Sequence, residues 1–264
     1  MRIDFIGTGN AHQIPRPGCG CQICREAKIN LERRRRAPCF AVSTSDEAAT
    51  IVIDAGDAAV HRWLDRPQTR AVLLSHFHPG HYHGLVGYRL FHGSMRLLCP
   101  PNRDLDEPLG SSRKGYEINE LSVFETVEVE PFKITPVLLN HSVITFGYCI
   151  EVDGKRLAYL CDTCGLPPQT ESFLSEWKPD ALIIDCNQHP RSPKPDHNTP
   201  KQALAIHRKV GASQSFLVHI SCSAAAWLHP KPKSFPNNFN VATDGMTIDL
   251  SDPIAMKMYQ RASG

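Results

Sequence analysis

The sequence predicts a mixed α/β (α+β) fold, and three observations carry that prediction. Short apolar runs of strand character recur along the chain, helical patterns fall between several of them, and five runs end in polar, metal-capable side chains. Those five are Asp54, His76, His141, Asp162 and His219. Coincidence is a poor explanation for all of them. A strand fixes the position of its last residue, and the loop beyond it can aim a side chain without distorting the sheet.

Composition sets the bounds. With 264 residues, 41% of them hydrophobic, the chain is long enough for one large core, and a single domain over 1–264 is expected. Lys and Arg number 29 against 27 Asp and Glu, a formal net charge of +2, so no global field draws nucleic acid or anionic membrane. No apolar run approaches the roughly 18 residues needed to cross a bilayer, and no cationic segment followed by a long apolar one opens the chain. A cytoplasmic protein with no membrane partner is expected. Ten cysteines, several close together, then point to metal binding or burial and not to disulfides.

The elements follow in order. Residues 3–6 read as a strand running into the turn Gly7-Thr8-Gly9-Asn10, where two glycines alone are weak ground for phosphate binding. Cys19, Cys21 and Cys24 follow in a segment too polar and turn-rich to form core. Three thiols so close suit a tetrahedral zinc site that pins a loop near 15–30, with a fourth ligand from elsewhere; buried free thiols are the bland alternative. Arg33 to Arg36 read as a solvated helix end, with phosphate contact by one of them as the second reading.

Residues 41–44 and 50–53 look like paired strands, the second ending at Asp54, and 58–64 carry a helical pattern. Residues 70–74 form the strand that delivers the densest feature of the chain: His76, His78, His81 and His83, four histidines within eight residues. Apolar spacing at 85–91 predicts a helix, 95–99 a strand, and 102–114 a polar surface loop. Strands are predicted at 121–129, 132–139, 146–152 and 156–160, the last two a hairpin about Asp153-Gly154. A helix near 169–174, a strand at 181–184 ending in Asp185, and a proline-rich loop at 190–195 lead to His197. Thr199 reads as an N-cap with Pro200 at the first helical position, giving a helix to about Val210. Residues 215–218 form the strand that presents His219, 240–249 hold two short strands around Asp244-Gly245, and a polar tail follows Pro253.

Taken together, these motifs resemble the metallo-β-lactamase fold superfamily, whose signature is His-x-His-x-Asp-His after a strand, then a histidine, an aspartate and a last histidine. Here the elements stand in order as His76, His78, His81, His141, Asp162 and His219. The Gly-Thr-Gly start, the Cys-x-Cys-x-x-Cys segment, Leu-Asn-His-Ser, Asp-Thr-x-Gly-Leu-Pro and His-Ile-Ser are similar to the phosphodiesterases of the carbon–phosphorus lyase pathway. The resemblance implies a four-layer αββα sandwich with metals at one rim. It implies that His76, His78 and His141 hold one catalytic metal and His81 and His219 another, with Asp162 bridging. Zinc or manganese, one or two ions, is the implied catalytic cofactor. Two cations roughly 3.5 to 4 Å apart can bind a phosphodiester oxygen and acidify water. Asp54 is implied to orient a ligand histidine, His197 to protonate the leaving group or bind phosphate charge, and Cys222 to complete a structural zinc with Cys19, Cys21 and Cys24.

One position departs from the pattern: Gly80 stands where the family has a metal-binding aspartate. One hard oxygen and one negative charge are lost from the second site, which hurts manganese more than zinc. His83 is no ready replacement, because side chains two apart on a helix point about 200° apart. Proline before Gly80 suggests a tight turn with a glycine-favouring dihedral. Three readings follow: a phosphodiesterase with a weakened or mononuclear site, acting on a small, cyclic ribosyl phosphate in phosphonate catabolism; a hydrolase of another ester or of RNA; or an impaired relative that binds without turnover. RNA is disfavoured, since neither a long protruding arm nor a broad basic face is evident. A small phosphodiester is the expected partner, and the oligomeric state, homodimer included, is left open. Cys161 and Cys164, flanking Asp162, read as buried small side chains.

Overall fold

The computed structural model describes residues 1–86, 94–102, 109, 114–192 and 196–251. Most of the predicted helix at 85–91, most of the loop at 102–114, part of the loop at 190–195 and the tail beyond Pro253 lie outside the described residues.

Two seven-stranded sheets face each other. One runs β14 (Thr247–Asp249), β1 (Arg2–Gly7), β2 (Cys39–Ser43), β3 (Thr50–Ala55), β4 (Thr69–Leu73), β5 (Met95–Cys99) and β6 (Tyr116–Glu120) in spatial order. The other runs β13 (Phe239–Val241), β12 (Gln214–Val218), β11 (Ala181–Asp185), β10 (Lys155–Leu160), β9 (Phe146–Val152), β8 (Phe132–Leu138) and β7 (Val127–Val129). Parallel pairing joins β3 through β6 in the first sheet and β10 through β13 in the second. The C-terminal ends of the parallel strands therefore collect at one rim of each sheet, where an α/β fold places its ligands.

Side-chain alternation explains the layers. In β3, Ile51 and Ile53 enter a core shared with Phe132, Ile134, Tyr159 and Phe216 of the facing sheet. Val52 and Ala55 point the other way, toward Trp63, Leu64 and Leu85. In β11, Ala181 and Ile183 join the inter-sheet core, while Leu182 and Ile184 pack with Leu174, Ala203 and Ala224 of the outer helices. Strands covered on both faces read as continuous apolar runs, which is how they stand in the sequence. The result is the αββα sandwich. Helices α2 (His61–Leu64) and α3 (Pro79–Tyr82) lie on one side, and α1 (Gln22–Ile29), α4 (Pro168–Trp177), α5 (Pro200–Val210) and α6 (Cys222–Leu228) on the other. Helix α5 starts as predicted, with Thr199 and Gln202 forming a capping box, Pro200 inside it and Gly211 left-handed at the end. No helix among the described residues is long and apolar enough to cross a membrane.

Three expectations need correction. Of the strand predicted at 121–129 only Val127–Val129 forms, as β7: β6 ends at Glu120, and Val123 and Phe124 lie on the surface, 38% and 37% exposed, with Phe124 at φ 63°. Their apolar character mimicked strand alternation in a turn. The arginine run is a solvated helix end only in part: Arg33 closes a short 3-10 helix that Arg34 caps, and Arg34 and Arg36 are exposed. Arg35 donates to Thr8 Oγ1 at 2.7 Å and to the Ala242 carbonyl at 2.6 Å, and Arg34 Nε to the Ala27 carbonyl at 3.0 Å, so the run braces neighbouring segments. Gly80 has no left-handed dihedral. It lies in α3, and close packing against Ala11 is what leaves no room for a side chain there. The two short strands at 239–241 and 247–249 belong to opposite sheets, and Asp244 between them is bonded by Thr8 and by the Arg36 amide.

Candidate metal centre

The histidine loop is fixed by both sheets before it reaches the site. Leu74 and Ser75 follow β4, and their carbonyls accept hydrogen bonds from the Tyr148 hydroxyl at 2.6 Å and the Phe146 amide at 2.9 Å, both from β9. The Ser75 amide and hydroxyl donate to Asp54, at 2.8 and 2.9 Å. Pro79 opens the short helix α3, which carries His81. Its Nδ1 lies 2.7 Å from Asp54 Oδ2, which also accepts the Tyr159 hydroxyl at 2.6 Å. Asp54 is fully buried and at φ 53°; His219, at the end of β12, is at φ 57°. Two non-glycine residues held left-handed at one site are strain of about 1–3 kcal/mol each, which the surrounding bonds must offset.

The predicted donors meet at the rim. His76 Nε2 and His141 Nε2 stand 2.9 and 3.2 Å from His78 Nδ1. Asp162 divides its two oxygens: Oδ2 faces His81 Nε2 at 3.3 Å, His76 Nε2 at 3.8 Å and His141 Nε2 at 4.0 Å, while Oδ1 faces His219 Nδ1 at 3.1 Å. His76, His78 and His141 form one donor group within 4.8 Å, and His76, His81 and Asp162 another. His219 falls in a third, with Asp162, Asp185 and His197. His81 and His219 are thus brought to opposite oxygens of Asp162 and not into one group. His83 is exposed and lies outside all of these groups.

The residues present fit a divalent metal. His81 Nε2 and His219 Nδ1 are buried and have no hydrogen-bond partner, which protein interiors rarely tolerate. Burial pushes His76 well below its usual range, lowers His78, and brings His141 to about 4 and His219 to about 3. These four are neutral at pH 7, with lone pairs free to ligate. Burial also works against protonated His81, but Asp54 and Asp162 outweigh it and hold that imidazole at about 10, so a proton there competes with metal. Burial would raise Asp162, yet His219 and His81 keep it well below the usual carboxylate range.

Asp185, at the end of β11, is the residue that reading the sequence underweighted. Its Oδ2 lies 2.6 Å from His197 Nδ1 and accepts the Thr163 amide at 3.1 Å, while Oδ1 accepts the Asn187 amide at 2.9 Å and lies 3.9 Å from His219 Nδ1. The signal was present, since Asp185 holds the same strand-end position as the five residues singled out. Burial lowers His197, but Asp185 overcomes this and lifts it to about 9. Cys161 is fully buried beside Asp162, with its thiol donating to Oδ1 at 2.7 Å.

A second cluster stands apart from the histidines. The sulfurs of Cys19, Cys21, Cys24 and Cys222 all lie within 4.8 Å of one another. Tetrahedral zinc with bonds of about 2.3 Å needs sulfurs about 3.8 Å apart. The backbone amide and thiol of Cys21 bring Cys19 down to about 7, so one thiolate is available near neutrality. Cys222 opens α6, which packs against α1, and stands three residues beyond His219.

A family model described as the beta-lactamase superfamily domain matches residues 49–220. That span contains every histidine and aspartate of the centre and none of the four clustered cysteines. A diphosphatase of the PhnP family superposes with a TM-score of 0.75 at 21% identity, covering 94% of this chain and 97% of that one. Zinc-bound PqqB from Methylobacterium extorquens gives 0.72 at 19% identity, covering 95% and 100%. An octanoyltransferase of Porphyromonas gingivalis is 24% identical over 235 residues, 84% of this chain and 46% of its own length. The chain spans less than two-thirds of the length of the curated relatives it matches.

Proposed function

The chain belongs to the metallo-β-lactamase-fold β-lactamase superfamily, and on that premise we propose that it is a metal-dependent phosphodiesterase acting on a small, cyclic ribosyl phosphodiester. The observation that carries the reading is the division of Asp162, whose Oδ2 faces His81 and His76 and whose Oδ1 faces His219, with His197 held protonated by Asp185 beside them. The ring of His197 lies 5.2 Å from that of His141 and 5.0 Å from that of His219.

His76, His78 and His141 would hold one cation; Asp162, His81 and His219 would hold a second, weaker one because Gly80 supplies no carboxylate. Divalent cations bound there supply Lewis-acid charge for a phosphoryl oxygen and acidify water. The protein's own residues do the rest. Asp54 orients His81 through Nδ1, leaving Nε2 directed at the centre. Asp185 fixes the ring of His197 and stabilises its protonated form, so the other nitrogen can give a proton to the departing alkoxide. Cys19, Cys21, Cys24 and Cys222 would bind a structural zinc that ties the N-terminal segment to the loop bearing His219. A place in phosphonate breakdown is supported by the resemblance to the PhnP family alone.

The test is a panel of phosphodiesters, cyclic ribosyl phosphates included, with zinc, manganese and nickel in turn. Hydrolysis of a cyclic diester with one of them is expected. No hydrolysis with any of the three overturns the reading.

A further inference from the structure

The side chain missing at position 80 is excluded by packing, and the structure places another carboxylate near the orphaned ligand. A Cβ built on Gly80 would lie 2.4 Å from the Cβ of Ala11 and 2.9 Å from its Cα. Real Cβ atoms do not approach so closely, so residue 80 can carry a carboxylate only if the segment at Ala11 withdraws. Meanwhile His219 Nδ1, 4% exposed, has no hydrogen-bond partner and lies between Asp162 Oδ1 at 3.1 Å and Asp185 Oδ1 at 3.9 Å.

We infer that Asp185 supplies the second carboxylate of the weaker cation site, in place of the side chain that Ala11 excludes at position 80. The two oxygens of Asp185 serve two purposes. Oδ2 takes His197, and Oδ1 turns toward His219. Amides of Thr163 and Asn187 fix the carboxylate plane, so neither contact has to order the side chain. The site then keeps two hard oxygen donors, from Asp162 and Asp185, beside the imidazoles of His81 and His219, a set that suits manganese as well as zinc. Relative to the family motif, the second carboxylate comes from β11 and not from α3.

This inference rests on the two-cation reading above, and manganese binding tests it separately from turnover. Mn(II) is titrated into the purified protein and followed by electron paramagnetic resonance, in wild type, Asp185→Asn, His197→Ala and Asp185→Asn combined with Ala11→Gly and Gly80→Asp. Wild type should take up two manganese ions. Asp185→Asn should weaken the second at least ~100-fold, as removal of a ligand does more than the 10–100-fold of an outer partner. His197→Ala should change it less than about 3-fold, which separates ligation from mere support of His197. The combined variant should regain the second ion. Asp185→Asn binding both ions like wild type, wild type binding only one, or His197→Ala losing the second ion as fully as Asp185→Asn would each overturn the inference. If wild type hydrolyses no phosphodiester while Asp185→Asn still loses its second ion, the functional reading falls and the inference stands.

Discussion

Asp54 Oδ2 lies 2.7 Å from His81 Nδ1, while the other nitrogen of His81 is buried without a hydrogen bond, 3.3 Å from Asp162 Oδ2. One end of the imidazole is thereby committed and the other left for a ligand. Four donors converge on this carboxylate: the Ser75 amide and hydroxyl, the Tyr159 hydroxyl and His81. Asp54→Asn would turn an amide NH2 toward groups that all donate. Affinity for catalytic metal should fall 10–100-fold and stability by about 3 kcal/mol. Metal titration and urea denaturation read the two effects; a variant matching wild type in both would remove Asp54 from the centre's support.

Gly80→Ala should destabilise the protein, although alanine favours helix. The added methyl meets Ala11, and overpacking of this kind costs about 1–3 kcal/mol. Ala11→Gly in the same chain should recover most of the loss. Gly80→Asp alone should therefore not restore a ligand; it should unfold earlier in urea than wild type. Equal denaturation midpoints for Gly80→Ala and wild type would show that the Ala11 segment yields freely.

What the sequence made legible followed from local pattern. Both-face-buried strands show as unbroken apolar runs, and strand ends carry the donors, so the sheets and the positions of His76, His141, Asp162 and His219 could be placed. Contacts between distant segments have no such signature. Nothing local marks Ala11 as the neighbour of Gly80, 69 positions on, or sends Arg35 inward to Thr8 and Ala242. Proline before glycine suggested a dihedral reason for Gly80, whereas the reason is close approach. Asp185 was visible at its strand end, but its link to His197 crosses a loop that pattern alone does not close.

Cys222→Ser should lower zinc content by one equivalent and the thermal midpoint by several degrees. Structural zinc contributes folding energy directly, and here it would join α1 to α6. Cys222→His should keep the ion, because imidazole is an equally competent ligand. Elemental analysis with thermal melts decides it. Unchanged zinc and an unchanged melt in Cys222→Ser would mean that the four thiols are merely buried neighbours.

In protein freed of catalytic metal, His197 should titrate near pH 9, and in Asp185→Asn well below that, since burial then goes largely unopposed. The folded state then holds a proton that the unfolded chain releases around pH 6.5. A raised folded pKa means that the pair's contribution to stability is complete below about pH 6.5 and is lost as pH climbs through about 9. At most about 3 to 4 kcal/mol is involved, at roughly 1.4 kcal/mol per pH unit. Wild type should lose stability between pH 6 and pH 9.5 by more than Asp185→Asn does, and the histidine nitrogen shifts should report the same midpoint. A wild-type midpoint near 6.5 would mean that Asp185 does not hold His197 protonated, and the proton donor of the proposed reaction would have to be sought elsewhere.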